Sequence, residues 1–235
     1  MGLTNTLNRG LELAEGKYIC RMDADDISEL YRMEHQKKYL EENDFDLIGG
    51  ISQMIDEDGN TIYSIKKVPT DFKKIKKCIK YNQVISHPTW FGKKEVFDKL
   101  NGYRNMPLCE DYDFTLRAIL QGFKISNVNE CVLKYRMTKD SISRSNLFEQ
   151  YLLASANKKT VLTDLLQLKE EKDIENYNKL LVTLSLEFLG DYQNAKDLYN
   201  QIELNSEEKE EYKSITAIIE TFINKDNSSK IIDEL

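Results

Sequence analysis

Leu3, Leu7, Leu11 and Ala14 recur at helical spacing, and Gly16 supplies a stop, so the chain is expected to open with a helix over 3–14. The next stretch, Lys17-Tyr18-Ile19-Cys20-Arg21-Met22, is short and β-prone, and it ends abruptly in Asp23-Ala24-Asp25-Asp26. That pattern predicts a strand delivering carboxylates at its C-terminal end. A second helix is expected from about Ser28 to Glu42, with Leu30, Met33 and Leu40 turned partly inward. Phe45–Ile51 reads as a strand, Asp56–Asn60 as a turn and Thr61–Ile65 as the returning strand. A lysine-rich helix follows over Asp71–Tyr81, then a short extended segment over His87–Phe91 and a helix over Lys93–Leu100 that Asn101-Gly102 closes. Glu110-Asp111-Tyr112-Asp113 opens a helix that Gly122 ends, and Phe123–Val128 and Cys131–Tyr135 read as two last strands.

Helix and strand therefore alternate through residue 145, the mark of an α/β fold with a partly parallel sheet. From 146 onward the periodicity is helical throughout and no proline interrupts it. Within this part, residues 184–199 read as helix, tight turn, helix. The Leu189-Gly190, Tyr192 and Ala195 spacing resembles one tetratricopeptide-like hairpin, but no second copy follows at about 34 residues, so a small helical bundle is expected. Two domains result, 1–145 and 146–235.

Composition sharpens that division. Residues 1–145 carry 23 Lys and Arg against 22 Asp and Glu, whereas residues 146–235 carry 10 against 18, a local charge of −8. All three prolines, all four cysteines and Trp90 precede residue 146, and of the ten glycines only Gly190 follows it. An acidic C-terminal part argues against nucleic acid as a partner. No apolar run reaches the roughly 18 residues of a spanning helix, and the N-terminus has no charged-then-apolar leader pattern. Cys20, Cys78, Cys109 and Cys131 are scattered without a C-x-x-C, and there are two histidines, which excludes the common zinc spacings and argues against a disulfide framework. A reducing cytoplasmic setting is expected.

Candidate chemistry lies in the two acidic clusters. Asp23, Asp25 and Asp26 repel one another, and a hard cation such as Mg²⁺ or Mn²⁺ would relieve that repulsion through oxygen ligands. Ligands in open α/β sheets sit beyond the carboxyl ends of strands, where this cluster falls. A plain helix cap by Asp26 or Ser28 accounts for the same residues, and both readings stand. A calcium EF-hand loop starting at Asp23 is excluded, because Ile27 and Ser28 occupy its fifth and sixth positions in place of a ligand and the glycine. Glu110, Asp111 and Asp113 either complement a helix dipole or include a general base for an attacking hydroxyl.

The motifs in order are Gly2-Leu3-Thr4, Leu7-Asn8-Arg9-Gly10-Leu11, Gly16-Lys17-Tyr18-Ile19, Arg21-Met22-Asp23-Ala24-Asp25-Asp26, His87-Pro88-Thr89, Gly102-Tyr103, Glu110-Asp111-Tyr112-Asp113 and Tyr135-Arg136. Together they resemble glycosyltransferase family 2, the nucleotide-sugar-dependent inverting enzymes of the GT-A fold, over about residues 2–145. The resemblance implies a mixed, Rossmann-like sheet. It also implies that Asp23 and Asp25, with Asp26 beside them, bind the donor's ribose and diphosphate through Mg²⁺ or Mn²⁺. Asp111 would be the base that deprotonates the acceptor hydroxyl, with Glu110, His87 and Trp90 in the acceptor region. The partners implied are a nucleotide-diphosphate sugar and a glycan or lipid-linked acceptor of cell-surface polysaccharide or glycoconjugate synthesis. His87 reads equally as a packed loop histidine.

Two departures from the family pattern shape further expectations. Family members begin with strands and helices that carry nucleobase-binding acids, on the order of 80 residues at about 30 per βα unit. A GT-A-like domain lacking those first strands is expected, with an exposed sheet edge. Thr138 and Lys139 stand where many relatives place a histidine, so no metal contact is expected from that loop. The Gln-x-x-Arg-Trp motif of processive members is absent, which favours transfer of a single sugar. Lys66, Lys67, Lys73, Lys74, Lys76, Lys77 and Lys80 form either a solvated helix face or a contact for anionic headgroups at the inner membrane face. Arg32 is expected to pair with an acid of its own helix. The rival to an enzyme is a catalytically inactive fragment, or an interaction module binding a protein partner through the C-terminal helices.

Overall fold

The computed structural model describes residues 2–65, 67–79, 83–106 and 109–138, together with 197 and 200–202. Apart from those last few positions, the expected helical region 146–235, its hairpin and its boundary at 145 lie outside the described residues. In chain order the elements are α1 (Leu3–Leu13), β1 (Tyr18–Cys20), β2 (Ile27–Ser28), α2 (Arg32–Glu42), β3 (Leu47–Ile55), β4 (Thr61–Ser64), α3 (Phe72–Cys78), a 3-10 turn (His87–Thr89), β5 (Phe91–Lys93), α4 (Lys94–Lys99), α5 (Glu110–Leu120) and β6 (Ile125–Arg136).

The strands form one mixed sheet in the order β1-β5-β3-β6-β2, with β4 added to the far end of β3. Only β3 and β6 run parallel; the remaining pairings are antiparallel. β3 lies at the centre and is almost wholly buried, which explains its run of apolar and small residues, Leu47-Ile48-Gly49-Gly50-Ile51. Gly49 is required by close approach: a Cβ there would sit 2.6 Å from both Asn127 Oδ1 and Ile85 Cγ2. On one side of the sheet, Trp90, Phe97, Tyr103 and Phe114 join Ile75, Ile79, Val96 and Leu116 in the larger core, with Leu7 and Leu11 of α1 packed against it. On the other, Leu40 of α2 packs with Ile48, Phe91, Val128, Val132 and Leu133.

Several expectations are corrected by this arrangement. The predicted helix from Ser28 begins instead at Arg32, because Ile27 and Ser28 pair with Lys134 and Leu133 of β6 and Glu29 N donates to Val132 O. Its inward face is therefore Arg32, Gln36 and Leu40, spaced four apart, while Leu30 is fully exposed and Met33 is 63% exposed. Arg32 has no acidic partner on its helix. Its Nε donates to Gln36 Oε1 at 3.0 Å, and Nη2 donates to the carbonyls of Arg21, Pro88 and Trp90. Hydrophobic periodicity is blind to such a polar seam, since the buried groups satisfy one another by hydrogen bonds.

The two predicted final strands are one long strand. Asn129 and Glu130 bulge outward, and the register with β3 slips between Gly49 and Ile51. The extended segment at His87 is a 3-10 turn that leads into β5. Helix α3 is capped by Asp71, whose side chain accepts from Lys74 N at 2.9 Å, a cap worth about 1 kcal/mol. Helix α1 is fastened at a distance: Asn8 Nδ2 donates to Tyr103 O and Tyr103 N donates to Asn8 Oδ1, both at 2.8 Å. Gly102 precedes that contact with φ +66°, a backbone conformation suited to glycine.

Candidate active site

β1 stops at Cys20, and the chain then leaves the sheet through Arg21 to Asp26 before β2 resumes. Two anchors fix this exit. Arg21 N donates to Trp90 O at 2.9 Å, and Arg32 holds the Arg21 carbonyl at 2.8 Å. A tight turn closes within the loop through Asp26 N and Asp23 O. The loop is placed by β1, the 3-10 turn and α2 together.

The three aspartates of the loop differ in environment. Asp23 is held by the buried Arg21 guanidinium in a fork, with Nη1 to Oδ2 at 2.8 Å and Nη2 to Oδ1 at 2.7 Å. Asp25 is exposed, and among the described residues its carboxylate makes no hydrogen bond; its backbone carbonyl accepts from Arg136 Nε at 2.9 Å. Asp26 is only 8% exposed. Its Oδ1 accepts from Arg136 N at 2.9 Å, and its buried Oδ2 has no partner among the described residues. Burial pushes the Asp26 carboxyl up to about 6, with the neighbouring Asp23 and Asp25 charges adding to it. Mutual repulsion in this cluster is thus relieved first by protein donors, Arg21 and Arg136. Among the described residues no three acidic, His or Cys side chains converge on one point. An exposed carboxylate beside an unpartnered one fits a magnesium-type ion, which takes one or two carboxylates and fills its remaining positions with substrate phosphate and water.

Arg136, at the end of β6, braces the loop from outside. Besides its bonds to Asp25 and Asp26, its Nη1 donates to the carbonyls of Asp56 at 3.0 Å and Glu57 at 2.7 Å. The β3–β4 turn, the acidic loop and the end of β6 are tied together by that one side chain.

The second acidic cluster opens α5. Glu110 is buried, and burial with the adjacent Asp111 charge raises its carboxyl. Asp111 is also raised by burial, opposed by the Tyr112 N–H, which donates to its Oδ1 at 2.7 Å, and by Gln83. Asp113 plays another part. Its carboxylate is buried and receives Arg117 Nε at 2.8 Å and the Arg104 guanidinium, so it fastens α5 to the preceding loop. Arg117 also donates to Leu100 O and Gly102 O.

Arg21 links the clusters electrostatically. Its charge draws down the carboxyls of Asp26, Glu110 and Asp111, and the Asp23 charge is felt at Glu110. The acidic loop and the start of α5 are thus both within the electrostatic reach of one buried guanidinium, whose Nε has no partner among the described residues.

His87 and Trp90 lie beneath this region. His87 is buried, its Nε2 is 2.9 Å from Tyr103 Oη, and burial with the Arg21 charge holds its imidazole well below the ordinary range. Trp90 is fully buried, donates Nε1–H to Ile85 O at 3.1 Å and lies against His87, Tyr103 and Phe114. The structure thus puts Trp90 in the core under the site, away from any surface an acceptor could touch. Sequence reasoning passed over Arg21, Gln83 and Tyr103 as participants. A basic residue closing an apolar strand directly before acids was the available signal for Arg21, and the Gly102-Tyr103 pair marked Tyr103; nothing local marked Gln83.

Residues 1–100 match the model of glycosyl transferase family 2. An uncharacterised glycosyltransferase of Methanocaldococcus jannaschii is 35% identical over 159 residues, covering 65% of this chain and 55% of that protein. The O-antigen biosynthesis glycosyltransferase WbnJ of Escherichia coli is 33% identical over 170 residues, covering 70% and 66%. The E. coli UDP-Gal:alpha-D-GlcNAc-diphosphoundecaprenol beta-1,3-galactosyltransferase is 28% identical over 145 residues, covering 61% and 52%. The chain spans about half to two thirds of the length of these relatives.

Proposed function

Since this chain belongs to glycosyl transferase family 2, we propose that its acidic loop and the first turn of α5 form the site for transfer of one sugar from a nucleotide-diphosphate donor to an acceptor hydroxyl, with inversion. The observation that carries this reading is Arg21: one buried guanidinium grips Asp23 and at the same time acts on Glu110 and Asp111. A donor-binding loop and a base must share one cleft, and that residue makes them one electrostatic unit.

In this reading Asp23 and Asp25 receive the ribose and diphosphate, and Asp25, with Asp26 behind it, is the residue to hold Mg²⁺ or Mn²⁺. Such an ion supplies neutralisation of the charge that develops on the leaving diphosphate. Asp111 accepts the acceptor's hydroxyl proton. The freed oxygen attacks the anomeric carbon from the face opposite the diphosphate; the new C–O bond forms as the old one breaks, and the nucleoside diphosphate leaves with the bonding pair. Single displacement inverts the anomeric centre. Burial that raises the Asp111 carboxyl, balanced by Tyr112 N–H, Gln83 and Arg21, suits a base working near neutral pH. Glu110 borders the same space and lines the acceptor side. Relatives named for O-antigen synthesis and for a diphosphoundecaprenol acceptor support surface-polysaccharide assembly on a lipid carrier as the setting.

Calorimetric titration of the full chain with UDP, with and without Mn²⁺, tests this. Metal-dependent binding that Asp25→Asn removes is the expected result. Absence of any metal-dependent heat in the wild-type chain would favour the inactive interaction module instead.

A further inference from the structure

The lysines of the described fold fall into two groups. Lys38, Lys93, Lys94, Lys99, Lys124 and Lys134 each have a carboxylate within 4.0 Å. Lys17 and Lys37 have none among the described residues but share the field of Glu41, whereas Lys73, Lys74 and Lys76 of α3 also have none. Residues 71–79 hold four lysines and a single acid, Asp71, whose carboxylate is already committed to capping α3. The helix turns Ile75, Cys78 and Ile79 into the core and leaves Lys73 and Lys76 exposed, the latter lying over the Phe72 ring. An uncompensated basic face thus stands out from a surface whose other lysines are largely balanced.

Its position is set by α5. Tyr112 Oη donates to Ile79 O at the end of α3, and Tyr112 follows Asp111 directly. Gln83, just beyond α3, donates to Thr115 Oγ1 one turn along the same helix. The lysine face is therefore carried beside the residue assigned as the base.

We propose that the α3 face bearing Lys73, Lys74 and Lys76 docks on the anionic headgroups of a lipid bilayer, bringing Asp111 to an acceptor that is itself held in the membrane. The choice of a lipid surface rests on the glycosyltransferase reading of the neighbouring site. Attraction of this kind grows with each lysine brought to the surface and fades with salt, because the interacting charges are solvent-exposed.

Flotation of the full chain with vesicles of equimolar phosphatidylglycerol and phosphatidylcholine, and with phosphatidylcholine alone, tests the proposal. Wild-type protein is expected to float with the anionic vesicles only, and to be released by high salt. Lys73→Gln with Lys76→Gln is expected to lower partitioning about thirty-fold, the loss of two surface lysines. Lys94→Gln with Lys99→Gln, on the balanced helix α4, should leave it unchanged. Equal loss in both variants, no loss in the α3 variant, or binding to the uncharged vesicles would each overturn the assignment. UDP binding by the same variants is read separately. Intact UDP binding without flotation sinks the membrane surface alone, and flotation without UDP binding sinks the glycosyltransferase reading while leaving the lysine face a lipid contact.

Discussion

The acidic loop after β1 and the acidic turn opening α5 have nearly the same composition, yet the fold treats them oppositely. In the loop, charge is met by guanidinium and backbone groups from other elements: Arg21 forks Asp23, and Arg136 holds Asp26 and the Asp25 carbonyl. In α5 the acids are separated by depth along the helix. Asp113 is sealed into ion pairs with Arg104 and Arg117, whereas Glu110 and Asp111, with no ion pair among the described residues, have raised carboxyls. A count of acids would rank the clusters alike. Whether a cation closes on the carboxylate separates Asp113 from Asp111, two positions apart, and the open one is the acid proposed as the base.

Breaking the α5 cluster at those two positions should give opposite signatures. Asp111→Asn is expected to cut sugar transfer by about 10²- to 10⁴-fold, the usual worth of a general base, while thermal stability holds or rises because a desolvated charge is removed. Asp113→Ala is expected to cost about 3–5 kcal/mol of stability, since it strands Arg117 and Arg104 without their partner. The protein that remains folded should still bind UDP. Chemical denaturation and a transfer assay on both variants decide the matter; an Asp113 variant that stays stable but inactive would reverse the two roles.

How much of this was legible in the sequence follows the same division. The helix at the start, the strand ending in acids, the β3–β4 hairpin and the helices α4 and α5 were all readable, because each is local and announced by periodicity or by turn residues such as Asn101-Gly102. The mixed sheet was expected as well. What escaped were features made by long-range pairing: the two-residue strand at Ile27, the bulge that makes one strand of β6, and the buried polar seam of Arg32 and Gln36, whose partners lie at Arg21, Gly49, Thr89 and Trp90. Asp23, Asp25, Asp26, Glu110 and Asp111 were all singled out as candidates; Arg21 binds the first of them and its charge reaches Asp26, Glu110 and Asp111. Their unequal environments were not legible, because those depend on cations contributed by other segments.

Trp90 extends the contrast to the floor beneath both clusters. Its placement in the acceptor region by family position and its complete burial make different forecasts. Trp90→Phe should lose about 1–3 kcal/mol, through the smaller ring and the loss of the Nε1–H donor to Ile85 O. Acceptor KM should be unchanged once the protein is folded. A raised acceptor KM with normal stability would instead return the indole to the binding surface.

The smallest effect concerns His87, which shares the Arg21 field with both clusters and can be isolated by pH. Burial and the Arg21 charge keep its imidazole neutral in the folded protein well below the ordinary histidine value of 6.5 that governs the unfolded chain. As pH falls below 6.5 the unfolded chain takes up a proton that the folded one refuses, so stability declines, at no more than about 1.4 kcal/mol per pH unit for one group. Carboxyls raised by burial, at Asp26, Glu110 and Asp111, act with the opposite sign: there the folded state binds protons more readily, and stability grows as pH falls toward their unfolded values. Only the difference between wild type and a His87→Gln variant separates these contributions, since the carboxyls are common to both. Urea denaturation at pH 7 and pH 5 should show the variant losing less stability on acidification than the wild type, even where its Tyr103 contact is weaker at both pH values. Parallel losses in the two proteins would mean that His87 is not kept neutral by the fold.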